Sequence, residues 1–146
     1  MLKKTVTYED WNGTTRTEDF YFNLTRTECM ELEYSFGPNK TMSGMIQTLI
    51  DTRDMGVIIS TLKEILLKAY GVKSDDGKRF IKNQEIRDSL EQSPAFDDIY
   101  MELATNSDYA ADFIIGILPR GFTEGLGANP KKEIMEKASR QLGLAN

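Results

Sequence analysis

On either side of Trp11-Asn12-Gly13, apolar side chains fall at alternating positions: Val6 and Tyr8 before it, Phe20, Phe22 and Leu24 after it. A period of two marks a half-buried strand, and the Asn-Gly step marks a tight turn, so residues 2–24 read as a β-hairpin. Its register follows from which loop length keeps the apolar set together. A two-residue Asn-Gly loop pairs positions summing to 25 and sends Val6 to the face opposite Phe20 and Phe22. A three-residue loop, Trp11-Asn12-Gly13, pairs positions summing to 24 and gathers Leu2, Val6, Tyr8, Phe20 and Phe22 on one face. Because a one-residue slip exposes half the set, the second register is expected, with Gly13 left-handed in a bulged turn.

The remaining pattern is helical. Thr25-Arg26-Thr27-Glu28 has capping-box spacing, Leu24 and Cys29 stand where a hydrophobic staple would, Leu32 continues the apolar side and Gly37-Pro38 ends the segment. Cys29 is then a small buried hydrophobe. From Thr41 to Tyr70 two helices face one core, the first through Met42, Met45, Ile46, Leu49 and Ile50. The second uses Met55, Ile58, Ile59, Leu62, Ile65, Leu66 and Ala69, with Asp54 as N-cap and Gly71 as stop. Ser74-Asp75-Asp76-Gly77 is a turn, and Phe80, Ile81, Ile86 and Leu90 then lie in a mostly charged helix. Ser93-Pro94 opens another helix with the stripe Phe96, Ile99, Tyr100 and Leu103. Ser107 caps the next, with Ala110, Phe113, Ile114 and Ile117 on one side, and Pro119 stops it.

The expected fold is therefore α+β and predominantly α-helical: an N-terminal hairpin followed by a bundle of about five to six short helices. Residues 1–119 form a single domain, with the hairpin over 2–24 and the helical part over 25–119. Residues 120–146 form a flexible connector, rich in glycine, plus a short C-terminal helix over Lys131–Leu142.

Composition narrows the chemistry. The chain has no histidine and one cysteine, which removes classical triads, histidine-ligated metals, intramolecular disulfides and cysteine-clustered zinc. Residues 1–119 hold 13 basic and 20 acidic side chains, a net −7 within the whole-chain −5, so nucleic acid is not an expected partner. No apolar run reaches membrane-spanning length and Lys3-Lys4 leads into polar alternation rather than a signal, which points to no membrane and a reducing, intracellular setting. Asp75-Asp76-Gly77 lacks the ligand frame of a calcium loop, and Asp97, Asp98 and Glu102 suit the start of a helix better than a catalytic pair. Gly121 to Gly127 lacks a phosphate-loop lysine. Neither an enzymatic activity nor a cofactor is expected.

What remains is binding. Phe96, Ile99, Tyr100 and Leu103 share one helical stripe and Phe113, Ile114 and Ile117 share the next, so the two can wall a groove for a partner helix. Packing alone can also consume both stripes, and the methionines, Met42, Met45 and Met55 among them, suit either role.

The order of segments adds a resemblance. Thr5-Val-Thr-Tyr-Glu-Asp-Trp-Asn-Gly13, Phe20-Tyr-Phe-Asn-Leu-Thr-Arg-Thr-Glu28, Ala69-Tyr-Gly-Val-Lys-Ser-Asp-Asp-Gly-Lys-Arg-Phe-Ile-Lys82, Ser93-Pro-Ala-Phe-Asp-Asp-Ile-Tyr-Met-Glu-Leu-Ala-Thr105 and Ala111-Asp-Phe-Ile-Ile-Gly-Ile-Leu-Pro119 follow one another. Together they resemble the tail assembly chaperones of long-tailed bacteriophages of Gram-positive hosts, counterparts of the lambda-type chaperone, over most of residues 1–119. The resemblance implies a non-enzymatic protein of the infected host's cytoplasm, absent from the mature virion. It implies binding to the long, aggregation-prone tape measure protein, and contact with the tail tube protein through a longer frameshifted form. Coating a repetitive client also favours a weak homo-oligomer. The 27 residues after Pro119 depart from the resemblance. The alternative class is a structural virion component, such as a head-tail connector or tail-completion protein.

Overall fold

The computed structural model describes residues 1–35, 37, 41, 42, 44, 46, 54–119 and 122, of which Met55 and Ser107 are described by backbone alone. Strands β1 (Leu2–Glu9) and β2 (Thr15–Phe22) pair antiparallel from Leu2↔Phe22 to Glu9↔Thr15, which is the register summing to 24. The turn is the expected one: Asp10 N donates to Thr14 O at 2.9 Å, Gly13 N donates to Asp10 O at 2.9 Å, and Gly13 has φ +81°. The Asp10 carboxylate accepts from Asn12 N and Thr14 N and pairs with Arg16. Those bonds, the Arg16 one foremost, hold its carboxyl below the usual range.

Helix α1 (Arg26–Ser35) starts at a reciprocal capping box, Thr25 N to Glu28 Oε1 at 3.0 Å and Glu28 N to Thr25 Oγ1 at 3.1 Å, with Leu24 and Cys29 fully buried beside it. Helix α2 (Met55–Ala69) starts at Asp54, whose carboxylate accepts from Gly56 N and Val57 N. Met42 and Ile46 are buried at 2% and 1% exposure, while Met45, Leu49 and Ile50 lie outside the described residues.

The structure then departs from expectation. Gly71 does not stop a helix: α2 ends at Ala69 and the chain passes directly into strand β3 (Tyr70–Lys73). The turn at Ser74–Gly77 leads to strand β4 (Phe80–Ile81), so Phe80 and Ile81 belong to a second hairpin and not to a charged helix. Tyr21↔Gly71 and Phe22↔Tyr70 join the two hairpins into one sheet of order β1-β2-β3-β4. Gly71 is needed for packing: a Cβ there would lie 2.7 Å from the Phe80 ring. Asp76 serves the turn, accepting from Ser74 Oγ and Lys78 N.

Helix α3 (Gln84–Glu91) is capped by Asn83, whose side chain accepts from Ile86 N at 2.8 Å. Helix α4 (Pro94–Thr105) begins as expected, with Ser93 Oγ accepting from Phe96 N and proline in the first turn. The cap of α5 (Ser107–Ile117) is Asn106 and not Ser107: Asn106 Oδ1 accepts from Tyr109 N at 3.1 Å. The fold class holds, an α+β chain dominated by helix, with five helices of at least eight residues among the described residues.

The helices cover the sheet face that carries Leu2, Val6, Tyr8, Phe20 and Phe22. Phe22 meets Phe113 of α5 edge-on at 5.1 Å and Tyr70 at 5.6 Å, which extends an aromatic line through Phe20 to Tyr8. Leu24 N donates to Ile117 O and Asn23 N to Ala69 O, so the exit from β2 is fastened to the ends of α5 and α2. Beyond Pro119, Phe122 packs on this core, while the expected connector and C-terminal helix lie outside the described residues.

Candidate functional site

The two helical stripes meet unequal fates. Ile99, Leu103, Phe113 and Ile117 are 1–3% exposed and belong to the main core. Ile114, at 9%, packs in a second cluster with Ile46 and Ala111. Phe96 and Tyr100 are half-buried at the edge of the main core, their rings stacked at 5.7 Å and 28°. Tyr100 Oη donates to Ile59 O at 2.9 Å, and burial raises the phenol's pKa, so it stays a donor. That bond brings α2 alongside α4, and α2 exposes Val57 at 37% and Ile59 at 47%. Packing thus takes five of the seven stripe residues, and among the described residues α4 and α2 leave Phe96 and Tyr100 partly accessible and Ile59 exposed, joined by the Tyr100 Oη–Ile59 O bond. Helical spacing places Ile59 with the inward set, but Ile58 and Ile59 are consecutive on a helix and the core takes Ile58.

An open cleft of about 600 Å³ lies where β1 meets α4 and the start of α5. Lys4, Val6 and Thr7 line one side, Met101, Glu102 and Tyr109 the other. Lys4 Nζ stands 4.2 Å above the Tyr109 ring, a cation–π contact. Burial, with Glu102 adding, pushes the Tyr109 phenol up to about 12, so it is neutral at any physiological pH. Met101 is half exposed on this wall, at 50%.

A polar latch that no periodicity announces joins α1, α2 and the exit from β2 to the segment between β4 and α3. Lys82, between β4 and α3, donates to Asn23 O at 2.7 Å, Glu28 Oε2 at 2.7 Å and Lys68 O at 2.8 Å, which satisfies its ammonium completely. Both side chains of the ion pair are 18% exposed. Burial lowers the lysine's pKa, with Glu28 opposing the shift. Burial raises that of Glu28, but bonds from Lys82 and Thr25 outweigh it and leave the carboxyl below its ordinary value.

Reactive chemistry finds little to work with. Cys29 is fully buried, and burial followed by the charges of Glu33 and Glu28 pushes its thiol up to about 11. Among the described residues no three acidic or thiol side chains converge as metal ligands, and no helix is long and apolar enough to cross a membrane.

The family whose model matches this chain is described as phage tail assembly chaperone, and the match covers residues 1–142. It continues well past Pro119, where the resemblance read from the sequence ended. Comparison with curated proteins and with solved structures finds no match. Since the family match takes in nearly the whole of the 146 residues, the chain belongs to the phage tail assembly chaperone family.

Proposed function

We propose that this protein holds the tape measure protein in solution while the tail assembles around it. The observation that carries the reading is the family match over residues 1–142, since a tail assembly chaperone acts by binding tail proteins and not by catalysis. A tape measure protein is a long helix whose apolar stripes self-associate when bare, and a chaperone needs an apolar strip to cover them. The strip formed by Phe96, Tyr100 and Ile59 is the surface we assign to that contact. Ile99, Leu103, Phe113, Ile114 and Ile117 hold α4 and α5 in the position that presents it. The net charge of −5 keeps such a coat soluble, and weak self-association lets several copies act along one client. The protein works in the host cytoplasm and leaves before the virion matures, so mass spectrometry of purified particles should not find it.

Co-expression with a tape measure fragment tests the reading. The wild type should keep the fragment soluble and co-elute with it on a sizing column. Ile59→Asp should lose the complex with circular dichroism unchanged, because the side chain is already half in water. Tyr100→Asp should do the same at some cost in stability, because it also removes the bond to Ile59 O. A fragment that precipitates beside well-folded wild type, without any complex, overturns the proposal.

A further inference from the structure

Strand β1 closes the sheet on one side: among the described residues it pairs only with β2. The hydrogen-bond parity of the hairpin fixes which of its backbone groups look outward. Asp10 N bonds Thr14 O, so in the antiparallel ladder the even residues of β1 direct their amides and carbonyls to β2. Lys3, Thr5, Thr7 and Glu9 direct theirs to the free edge. This edge borders the open cleft, whose lining includes the consecutive residues Lys4, Thr5, Val6 and Thr7, as happens along a strand's edge and not on one of its faces. The edge carries neither proline nor a bulge.

We infer that the outer edge of β1 is a docking surface for the β1 strand of a second copy of this chain, joined antiparallel about a two-fold axis at Val6. The argument is the self-complementarity of Leu2-Lys-Lys-Thr-Val-Thr-Tyr-Glu9. With the axis at Val6, the outward-bonding residues meet as Lys3 with Glu9 of the other copy and Thr5 with Thr7, so both ends of the interface carry opposite charges on the exposed face. On the helix-covered face Lys4 meets Tyr8 and Val6 meets itself, beside the exposed Met101. An axis at Thr5 would instead set Lys3 against Thr7 and Val6 against Lys4, losing both complementarities. The joined sheet would run unbroken through both copies with the helices on one side. The inference rests on the self-association within the proposed function and not on the identity of the client.

Sedimentation of the full chain over a concentration series, without any client, tests it. Wild type should show a monomer–dimer equilibrium. Lys3→Glu places like charges opposite each other at both ends and should weaken the dimer about tenfold or more, and the exchange K3E/E9K should restore it. Val6→Cys should give a disulfide-linked dimer under mild oxidation, since the buried Cys29 does not compete. A monomer at every concentration overturns both this surface and the self-association. A dimer indifferent to K3E, with no Val6→Cys cross-link, overturns the β1 surface alone and leaves self-association standing. Client binding is read separately by co-expression.

Discussion

Replacing Lys82 by methionine is the sharpest test of how the two hairpins are held to the helices. The substitution keeps the length of the side chain but removes an ammonium that bonds Glu28, Asn23 O and Lys68 O at 2.7, 2.7 and 2.8 Å. Removing one partner of a buried ion pair costs about 3–5 kcal/mol, because the other charge is left uncompensated. Water can reach this pair through its 18% exposure, which places the expected loss at the low end, about 3 kcal/mol. With an m-value of about 1.5 kcal/mol/M, the urea midpoint followed by far-ultraviolet circular dichroism should fall by about 2 M. A cycle with Glu28→Gln should show coupling of about 1.5–3 kcal/mol, the range for hydrogen bonds to charged groups. The sign of the pH dependence is also fixed. Glu28 is depressed in the fold, so its contribution is present above the ordinary carboxylate range and is lost as pH falls through the depressed value. Lys82 is lowered, so burying its charge costs stability at neutral pH, and that cost is relieved as pH rises through the ordinary lysine range. Lys82→Met should therefore lessen the acid sensitivity below about pH 4 as well as the stability at neutrality. A loss under about 1 kcal/mol with coupling below about 0.5 kcal/mol would refute the latch as a stabilising element.

Gly71→Ala should destabilise by about 1–3 kcal/mol through the clash of its Cβ with Phe80, and less in the presence of Phe80→Leu; urea midpoints of the three variants decide it. Gly13→Ala forces a side chain into φ +81° and should cost about 1–2 kcal/mol by the same measurement, with an unchanged midpoint sinking the bulged-turn account. Cys29, fully buried and pushed up to about 11, should resist a thiol-exchange dye at pH 8 until denaturant is added; rapid labelling of the native protein contradicts the burial.

The first hairpin was readable to the register, because one loop length alone keeps its five apolar residues on a face and Gly13 supplies the only backbone that loop needs. The caps at Thr25, Asp54 and Ser93 were readable for a similar reason: each is a local bond between side chain and backbone. The second hairpin was not. Tyr70–Lys73 follows Ala69 without a breaker, and two residues of strand at Phe80–Ile81 are too few to show a period. Asn106 and Ser107 are both cap formers, and only geometry chooses between them. The stripes on α4 and α5 marked which residues turn inward, but periodicity cannot tell a face that meets core from one left for a partner, so Phe96 and Tyr100 separate from the rest only in three dimensions. Lys82 had no signature at all, since its partners lie 54, 59 and 14 residues away.

The position of Trp11 decides what light will report. It is the chain's single tryptophan, it sits at the tip of the first hairpin, and it is 79% exposed with its indole nitrogen bonded to Gln92 O at 3.0 Å. Native emission should therefore already be red and open to iodide, and melting of the aromatic core should barely change it. Fluorescence and circular dichroism will trace different events if the tip detaches from the α3–α4 corner before the core opens. A blue shift on adding a tryptophan-free tail-protein fragment would report contact at the hairpin tip, independently of any contact along α4 and α2.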